Sequence, residues 1–222
     1  MKNHDLDWGL LRVFLNRSLN QVRCDGIEIP LVRASVYLVL LHFPILNRNG
    51  AIVTTAVTNM DIHDISRTAR TFGVKKYFLV TPIEDQRALV DRILSHWKKD
   101  SSLKYHPDRF EAVSLIRLAR DFNEVKAAVE AECGEKPEVV LTDAKAFPSS
   151  VSYADYRREL SDPARSRPVI VVLGTGWGVS DSFYPEVDRI LAPIYGPEGS
   201  EGYNHLSVRA AAATILDRLL GL

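Results

Sequence analysis

The stretch Val169-Ile-Val-Val-Leu-Gly-Thr-Gly-Trp-Gly178 is the most informative part of the sequence for the fold. Its first half predicts a buried strand, and its second half places three glycines at alternate positions directly after that strand. Glycine tolerates positive φ and carries no side chain, so a nucleotide-like ligand can approach the free backbone N–H groups. The spacing GxGxG differs from the dinucleotide fingerprint GxGxxG and comes late in the chain. Alone, the pattern fits either a ligand loop or a tight strand-to-helix corner.

Similar apolar runs alternate with helical patterns from residue 35 onward. The predicted strands are Val36–Leu41, Tyr77–Thr81, Ala112–Ile116, Val139–Thr142, Val169–Leu173 and Ile190–Ile194. The predicted helices lie near 60–72, 84–99, 121–132 and 151–160, with a closing helix from about His205 to Leu220. Strands that are apolar on both faces and alternate with helices indicate an α/β fold with a mostly parallel sheet, covered by helices on both faces. Ligands of such sheets bind beyond the carboxyl ends of the strands.

Residues 1–30 differ from the rest of the chain. Leu10 to Leu15 are compatible with a short helix, and Arg23 to Pro30 read as a linker. We therefore predict an N-terminal extension over 1–30, either poorly ordered or docked as a helix on the main domain or a partner. The main domain is expected to cover 31–222.

Composition excludes several classes of function. Lys and Arg number 28, as do Asp and Glu, so the net charge is zero and bulk attraction to nucleic acid is absent. RNA affinity would need local patches, for which the candidates are Arg67, Arg70, Lys75, Lys76, Arg157, Arg158, Arg165 and Arg167. Cys24 and Cys133 lie far apart without a CxxC pattern, which predicts neither a metal site nor a disulfide framework.

The longest apolar run, Val36 to Leu41, is too short to span a bilayer, and the first residues lack the layout of a signal peptide. We therefore expect a soluble, cytoplasmic protein without a membrane partner.

The closing helix begins within Tyr203-Asn-His-Leu-Ser-Val-Arg-Ala-Ala211, where Asn204 is a plausible N-cap. Together with the glycine turn and the strand Ile190–Ile194, this opening resembles the C-terminal half of the SPOUT superfamily of RNA methyltransferases. That family often carries the motif N-x-S-x-A-A. Ser207 matches its serine, and His205 stands where the family has asparagine.

A second resemblance lies upstream. The segment Asp61-Ile-His-Asp-Ile-Ser-Arg-Thr-Ala-Arg-Thr-Phe-Gly-Val74 is similar to the family pattern N-x-G-x-I-x-R-T-A-x-x-F-G. Arg67 falls on its arginine, and Asp61 falls where many members carry asparagine. The stretches His42–Gly50 and Thr54–Asn59 resemble the SPOUT domain found alone or fused to bacterial tRNA (guanine-N1) methyltransferases.

The resemblance implies an S-adenosylmethionine-dependent RNA methyltransferase, with tRNA as the expected substrate. It also implies a deep C-terminal trefoil knot and a homodimer formed through the terminal helix. The residues that it assigns to catalysis are Arg67, Asn59, Asp61 and Ser207. Those that it assigns to S-adenosylmethionine are Leu141, Thr142, Leu173, Gly174, Thr175, Gly176, Gly178, Ile194, Tyr195, Tyr203, Asn204, His205 and Leu206. No metal is expected, because the sulfonium already activates the methyl group.

Other interpretations stay open for single residues. Arg67 also fits a solvated helix charge, Asp61 fits a helix cap, and the apolar stripe of the last helix fits ordinary core packing. A non-catalytic knotted module that binds nucleotides or RNA is the main alternative function, supported by the zero net charge and by His205. A Rossmann-like oxidoreductase is disfavoured by the position and spacing of the glycines.

Overall fold

The computed structural model describes residues 34–97, 104–197 and 202–221, together with the backbone of four strands between residues 6 and 30. Those strands are β1 (Leu6–Trp8), β2 (Leu11–Asn16), β3 (Gln21–Cys24) and β4 (Ile27–Pro30), paired in this order as an antiparallel meander. The short helix considered for Leu10 to Leu15 is therefore wrong for Leu11 to Leu15, which lie in β2. Leucine and valine at every second position, beside phenylalanine, suit the period of a strand. The boundary near residue 30 remains a prediction.

A seven-stranded parallel sheet forms the centre of the main domain. Its strands are β5 (Val36–Leu41), β8 (Tyr77–Val80), β9 (Ile116–Ala119), β10 (Glu138–Thr142), β11 (Ser150–Val151), β12 (Val169–Leu173) and β13 (Arg189–Leu191). They are ordered β11-β13-β10-β12-β5-β8-β9, and every pairing is parallel. A small hairpin of β6 (Ile45–Leu46) and β7 (Ile52–Val53) follows β5. The predicted α/β class is confirmed.

Helices cover both faces of this sheet, as predicted. They are α1 (Ser66–Thr71), α2 (Glu84–Trp97), α3 (Pro107–Ser114), α4 (Phe122–Cys133), α5 (Tyr153–Leu160) and α6 (Val208–Leu220). A π-helical segment, Asp61–Ile65, leads directly into α1, and a 3-10 segment covers Asp181–Glu186. Among these described helices, none has both the length and the apolar character that a bilayer span requires.

Strand β5 divides the core into two clusters, because successive residues of a strand point to opposite faces. Leu38 and Leu40 pack with residues of α1, α2, α3, α5 and α6. Val39 and Leu41 pack with α4 and the 3-10 segment. The two buried faces explain why the central strands read as continuous apolar runs rather than as alternating ones.

One predicted strand is wrong. Ala112 and Val113 belong to α3, and the strand of this region begins later, at Ile116. Pro107 opens α3, at the position where a missing N–H costs least. In β9, which forms an edge of the sheet, only the terminal residues Ile116 and Ala119 are buried. The apolar residues of the helix end and the strand start therefore formed one misleading run.

A buried carboxylate joins β10 to its surroundings. Glu138 accepts hydrogen bonds from the hydroxyl of Tyr156, at 2.6 Å, and from Arg165. Burial raises the pKa of Glu138, but the bonds from Tyr156 and Arg165 outweigh it, so the pKa lies below its usual value. The carboxylate is thus ionised and paired inside the protein.

The substitution E138A should lower the free energy of unfolding by about 3–5 kcal/mol, because it leaves Arg165 and Tyr156 without their partner. The matched control is E111A, since Glu111 forms an exposed ion pair with Arg70. That change should cost no more than about 1 kcal/mol. Urea unfolding measures both values. Equal losses in the two variants would contradict the structural role of Glu138.

Candidate functional site

A cavity of about 770 Å³ opens beyond the carboxyl ends of β5, β10 and β12. Its walls come from the segments that follow these strands and from the first turn of α6. Parallel strands present their carboxyl ends at one edge of the sheet, and ligands of such folds bind there. The location is therefore the one that the strand pattern predicts for a ligand.

The glycine turn after β12 is both a tight corner and a wall of this cavity. Gly176 and Gly178 have positive φ, +55° and +98°. A Cβ on Gly176 would lie 2.9 Å from Cγ2 of Ile45 and 3.2 Å from the carbonyl oxygen of Leu46. The Trp177 amide donates to that same oxygen at 3.1 Å. The two interpretations of the turn are thus compatible, since glycine packs on the β6 strand and also lines the cavity.

Two further loops meet this turn. One follows β10 and contributes Thr142 to Lys145, and the other precedes α6 and contributes Asn204 to Leu206. The side-chain amide of Asn204 donates to the carbonyl oxygen of Ala144 at 2.6 Å, which ties the loops together. Three loops distant in sequence therefore form one wall.

The first turn of α6 also faces the cavity. Ser207 is its N-cap, and its hydroxyl accepts a hydrogen bond from the Ala210 amide at 3.3 Å. The helix starts at Val208, so Asn204 is not the cap that the sequence suggested. The apolar stripe of α6, which includes Ala212, Ile215 and Leu216, is buried in the core of the same chain.

A hydroxyl network lies at the end of the cavity formed by β5. His42, which directly follows β5, is fully buried, and its Nδ1 lies 2.9 Å from the hydroxyl of Thr55. Thr55 in turn lies 2.6 Å from the hydroxyl of Thr175, which donates to the carbonyl oxygen of Leu41 at 3.0 Å. Nε2 of His42 has no hydrogen-bond partner among the residues that the structure describes. A buried polar atom left unpaired costs roughly 1–3 kcal/mol.

Burial dominates the titration of this imidazole. It lowers the pKa of His42 to about 4, although the negative charge of Asp61 raises it somewhat. Below its ordinary pKa of 6.5, an unfolded histidine would be protonated, whereas the folded one stays neutral. His42 is thus a neutral ring at physiological pH.

An ion pair lies beside His42. Asp61 is buried, opens the π-helical segment and accepts from Arg209 at 3.0 Å and from the hydroxyl of Thr58 at 2.6 Å. Nε of Arg209 also lies 3.6 Å from the carboxylate of Asp64. Both Asp61 and Arg209 line the cavity. π-helical turns occur frequently at functional sites, and this one joins α1 to α6 through a charged contact.

The cavity contains most of the residues that the sequence singled out. Asp61 and Ser207 line it, as do Thr142, Leu173, Gly174, Thr175, Gly176, Gly178, Ile194, Asn204, His205 and Leu206. Leu141 is buried within β10 instead. Asn59 and Arg67 are exposed and lie outside the cavity walls, and so are Tyr195 and Tyr203.

Sequence reasoning missed several cavity residues, among them His42, Thr55, Trp177 and Arg209. His42 directly follows the apolar strand β5, but its place in the cavity depends on the pairing of β5 with β12, which the sequence does not show. Arg209 belongs to the motif at the start of the closing helix, but its side chain lines the cavity only because the helix starts at Val208.

Most of the candidate RNA-binding cations have partners within the chain. Arg70, Lys76, Arg158, Arg165 and Arg167 form ion pairs with Glu111, Glu132, Asp155, Glu138 and Asp188. Arg157 donates to the carbonyl oxygens of Arg218 and Gly221 at the end of α6. Arg67 and Lys75 have no ion-pair partner within the described part of the chain.

The low pKa of His42 predicts a pH-dependent stability. Because its folded pKa lies below the unfolded one, its contribution is complete above pH 6.5 and is lost as the pH falls toward 4. The loss should amount to roughly 3 kcal/mol. Urea unfolding at several pH values should show a smaller acid loss in H42N than in the unaltered protein. Identical pH profiles would contradict the burial of a neutral imidazole.

Comparison with known proteins identifies the family to which the chain is similar. Residues 35–221 match the family model described as SAM-dependent RNA methyltransferase. An uncharacterised protein of Aquifex aeolicus is 41% identical over 189 residues, covering 85% of this chain and 90% of that protein. The tRNA (guanine-N(1)-)-methyltransferase of Oleidesulfovibrio alaskensis is 39% identical over 84% of this chain. This chain spans only 42% of the length of that enzyme.

The fold has a solved counterpart as well. The crystal structure of a methylase family protein from Neisseria gonorrhoeae superposes with a TM-score of 0.55 and 15% identity, covering 84% of this chain and 82% of that one. At such identity the similarity shows a shared fold. The sequence match, which covers the whole parallel sheet and every wall of the cavity, shows more: the chain belongs to the family of SAM-dependent RNA methyltransferases, as its resemblance to the SPOUT superfamily predicted.

Proposed function

We propose that this chain transfers a methyl group from S-adenosylmethionine to a nucleotide of tRNA, and therefore acts in the cytoplasm. The observation that carries the proposal is the meeting of three loops and the start of α6 at one cavity, in a chain of this family. The tRNA substrate is drawn from relatives named as tRNA methyltransferases, of which this chain spans 42%.

The end of the cavity formed by β10, β12 and the loop before α6 suits the methyl donor. Leu173, Ile194 and Leu206 offer apolar contact, and the glycine turn offers backbone groups without side chains. The carboxylate of Asp143 also lines the cavity and has no cationic partner among the described residues. A sulfonium in this cavity would therefore meet an unpaired negative charge. When bound, S-adenosylmethionine supplies a methyl group already activated by that positive charge.

The other end suits the acceptor nucleotide. Asp61 holds Arg209 in the cavity wall, and a guanidinium there can contact a phosphate or a carbonyl oxygen of the RNA. Asp61 therefore acts as a positioning residue for Arg209. Ser207 caps α6 and so fixes the first turn that carries Arg209. The task of these groups is to align the acceptor atom with the methyl group.

Exposed side chains at and around the cavity suit RNA contact. Trp177 at the cavity and Tyr203 nearby are 65% and 68% exposed, and unstacked bases bind well to such aromatic faces. Arg67 and Asn59 are exposed too, and we assign them to RNA contact or to the cavity of a second subunit. Free cations matter here because most of the other candidate RNA-binding cations have partners within the chain.

A homodimer and a trefoil knot belong to the same proposal. The buried stripe of α6 is used within the chain, so a subunit interface on this helix would use its other face, which includes Ala210, Ala213 and Thr214.

The knot is supported by the path of the chain. After β12 it crosses to β13, beyond β10, and then returns as α6 to pack on α5 and the π-helical segment.

The non-catalytic binding module that the sequence left open is not the function that we propose. The polar groups of Asp61, Arg209 and His42 share one cavity with the glycine turn, and simple retention of a nucleotide does not need them.

Mass spectrometry of nucleosides tests the proposed reaction directly. Bulk tRNA from cells that lack the gene should miss one methylated nucleoside, and the purified protein with S-adenosylmethionine should restore it. Unchanged tRNA nucleosides would reject a tRNA methyltransferase.

The turn itself gives a binding prediction. In G176A the new methyl group would press on Ile45 and Leu46 and force the turn to shift, so the affinity for S-adenosylhomocysteine should fall at least about tenfold. The control is G134A, since Gly134 has a similar positive φ, +75°, but open space around it and a position at the end of α4. Calorimetry compares the two. Equal affinities in both variants would show that the turn does not bind the donor.

Arg67 gives a prediction of the opposite kind. R67A should abolish methyl transfer while leaving the affinity for S-adenosylhomocysteine within about twofold, because the side chain lies outside its own cavity. R120A, which removes an exposed arginine paired with Glu124, is the control and should keep activity. Methyl transfer by R67A at the unaltered rate would refute its assigned role.

A further inference from the structure

We propose that Nε2 of His42 accepts a hydrogen bond from the exchangeable hydrogen of the acceptor nucleotide, a base N–H or a ribose O–H, and so binds the group that is methylated. The inference rests on the proposed function and names the residue that receives this hydrogen.

The hydroxyl network determines where the imidazole carries its hydrogen. Leu41 offers a carbonyl oxygen, which can only accept, so the hydroxyl hydrogen of Thr175 is used there. Thr55 must then donate to Thr175, because that contact has no other hydrogen available. With the hydroxyl hydrogen of Thr55 also used, Nδ1 of His42 is the donor in the remaining contact. The neutral ring therefore has a bare lone pair at Nε2.

Nε2 is an acceptor without a donor. No described residue bonds to it, although His42 lies in the cavity wall. The neighbouring acceptor, Asp61, differs in this respect, since one oxygen is bonded by Thr58 and the other by Arg209. Of these two neighbouring groups, His42 is the one ready for a ligand hydrogen. The ring is fully buried, so a ligand hydrogen reaches Nε2 only when the side chains that cover it move aside.

The order of the strands separates His42 from the donor loops. The loops assigned to S-adenosylmethionine follow β12 and β10, and the loop before α6 comes after β13. His42 follows β5, which lies on the opposite side of β12 from β10. A hydrogen that reaches Nε2 therefore comes from the acceptor side of the cavity. In the transfer, the acceptor nitrogen or oxygen forms a bond to the methyl carbon, and the C–S bond of the sulfonium breaks with its electron pair left on the neutral sulfur of S-adenosylhomocysteine. The acceptor's proton is released to solvent, and the contact with Nε2 orients the N–H or O–H bond that loses it.

Two variants distinguish the roles of the two ring nitrogens of His42. In H42N the amide nitrogen can replace Nδ1 and keep the bond to Thr55, while nothing replaces Nε2. In H42Q the amide reaches the place of Nε2 and can offer an acceptor oxygen there. With bulk tRNA from cells lacking the gene, H42N should lose about 10- to 100-fold in kcat/KM, and H42Q should recover part of it. Affinity for S-adenosylhomocysteine should stay within about twofold in both.

Nitrogen NMR of the unaltered protein tests the inference without any variant activity. The His42 signals, identified by their loss in H42N, should show hydrogen on Nδ1 and none on Nε2. S-adenosylhomocysteine alone should leave the Nε2 resonance in place, and adding the same tRNA should shift it in the direction of an accepted hydrogen bond. A hydrogen on Nε2 in the free protein, or no shift with tRNA, would overturn the proposal.

The two proposals fail in different ways. If the unaltered protein does not methylate the tRNA, the proposed function is rejected. If it does and H42N matches it in kcat/KM, only the role of His42 is rejected. The methylated nucleoside, identified by mass spectrometry, shows whether the hydrogen belonged to a base nitrogen or to a ribose oxygen.

Discussion

The close packing of the turn after β12 on the hairpin after β5 is the contact on which the site depends. Gly176 lies so near Ile45 and Leu46 that any added side chain would force the turn or Ile45 to shift, and the backbone of the two segments is joined by hydrogen bonds. Thr175 directly precedes Gly176, and its hydroxyl forms hydrogen bonds with the carbonyl oxygen of Leu41 and the hydroxyl of Thr55. A single turn thus lines the cavity beside the loops proposed to hold the donor and is bonded to the histidine network.

The parallel sheet makes this arrangement possible. Strands β13, β10, β12 and β5 are neighbours and end at the same edge, so segments far apart in sequence meet there. The cavity they enclose is apolar near Leu173 and Ile194 and polar near His42, Asp61 and Arg209. An activated sulfonium needs alignment and charge complementarity more than it needs a strong acid or base, and this distribution of groups suits that requirement.

Much of the fold could be predicted from the sequence, because burial on both faces leaves a clear apolar signal. Strands β5 and β12 begin and end where the pattern placed them. The boundary between α3 and β9 could not be predicted in this way, since Ala112 and Val113 are apolar in a helix as they would be in a strand. The N-terminal meander was missed because its strands are short, although the alternation of Leu11, Val13 and Leu15 fits a strand.

The site was harder to predict, for a geometric reason. A motif match places Arg67 on a helix but gives no distance to the cavity, and the helix turns this side chain to the surface. His42 and Arg209 enter the site through the pairing of β5 with β12 and through the cap at Ser207, and both are properties of the folded chain. Glycine and serine positions, which are constrained by local backbone, were the more predictable ones.

Calorimetric titration of the protein with S-adenosylmethionine tests the central claim most directly, because donor binding does not require the RNA to be known. We expect one site per chain with a dissociation constant in the micromolar range. Absence of binding at a concentration of about 1 mM would contradict a donor site in this cavity.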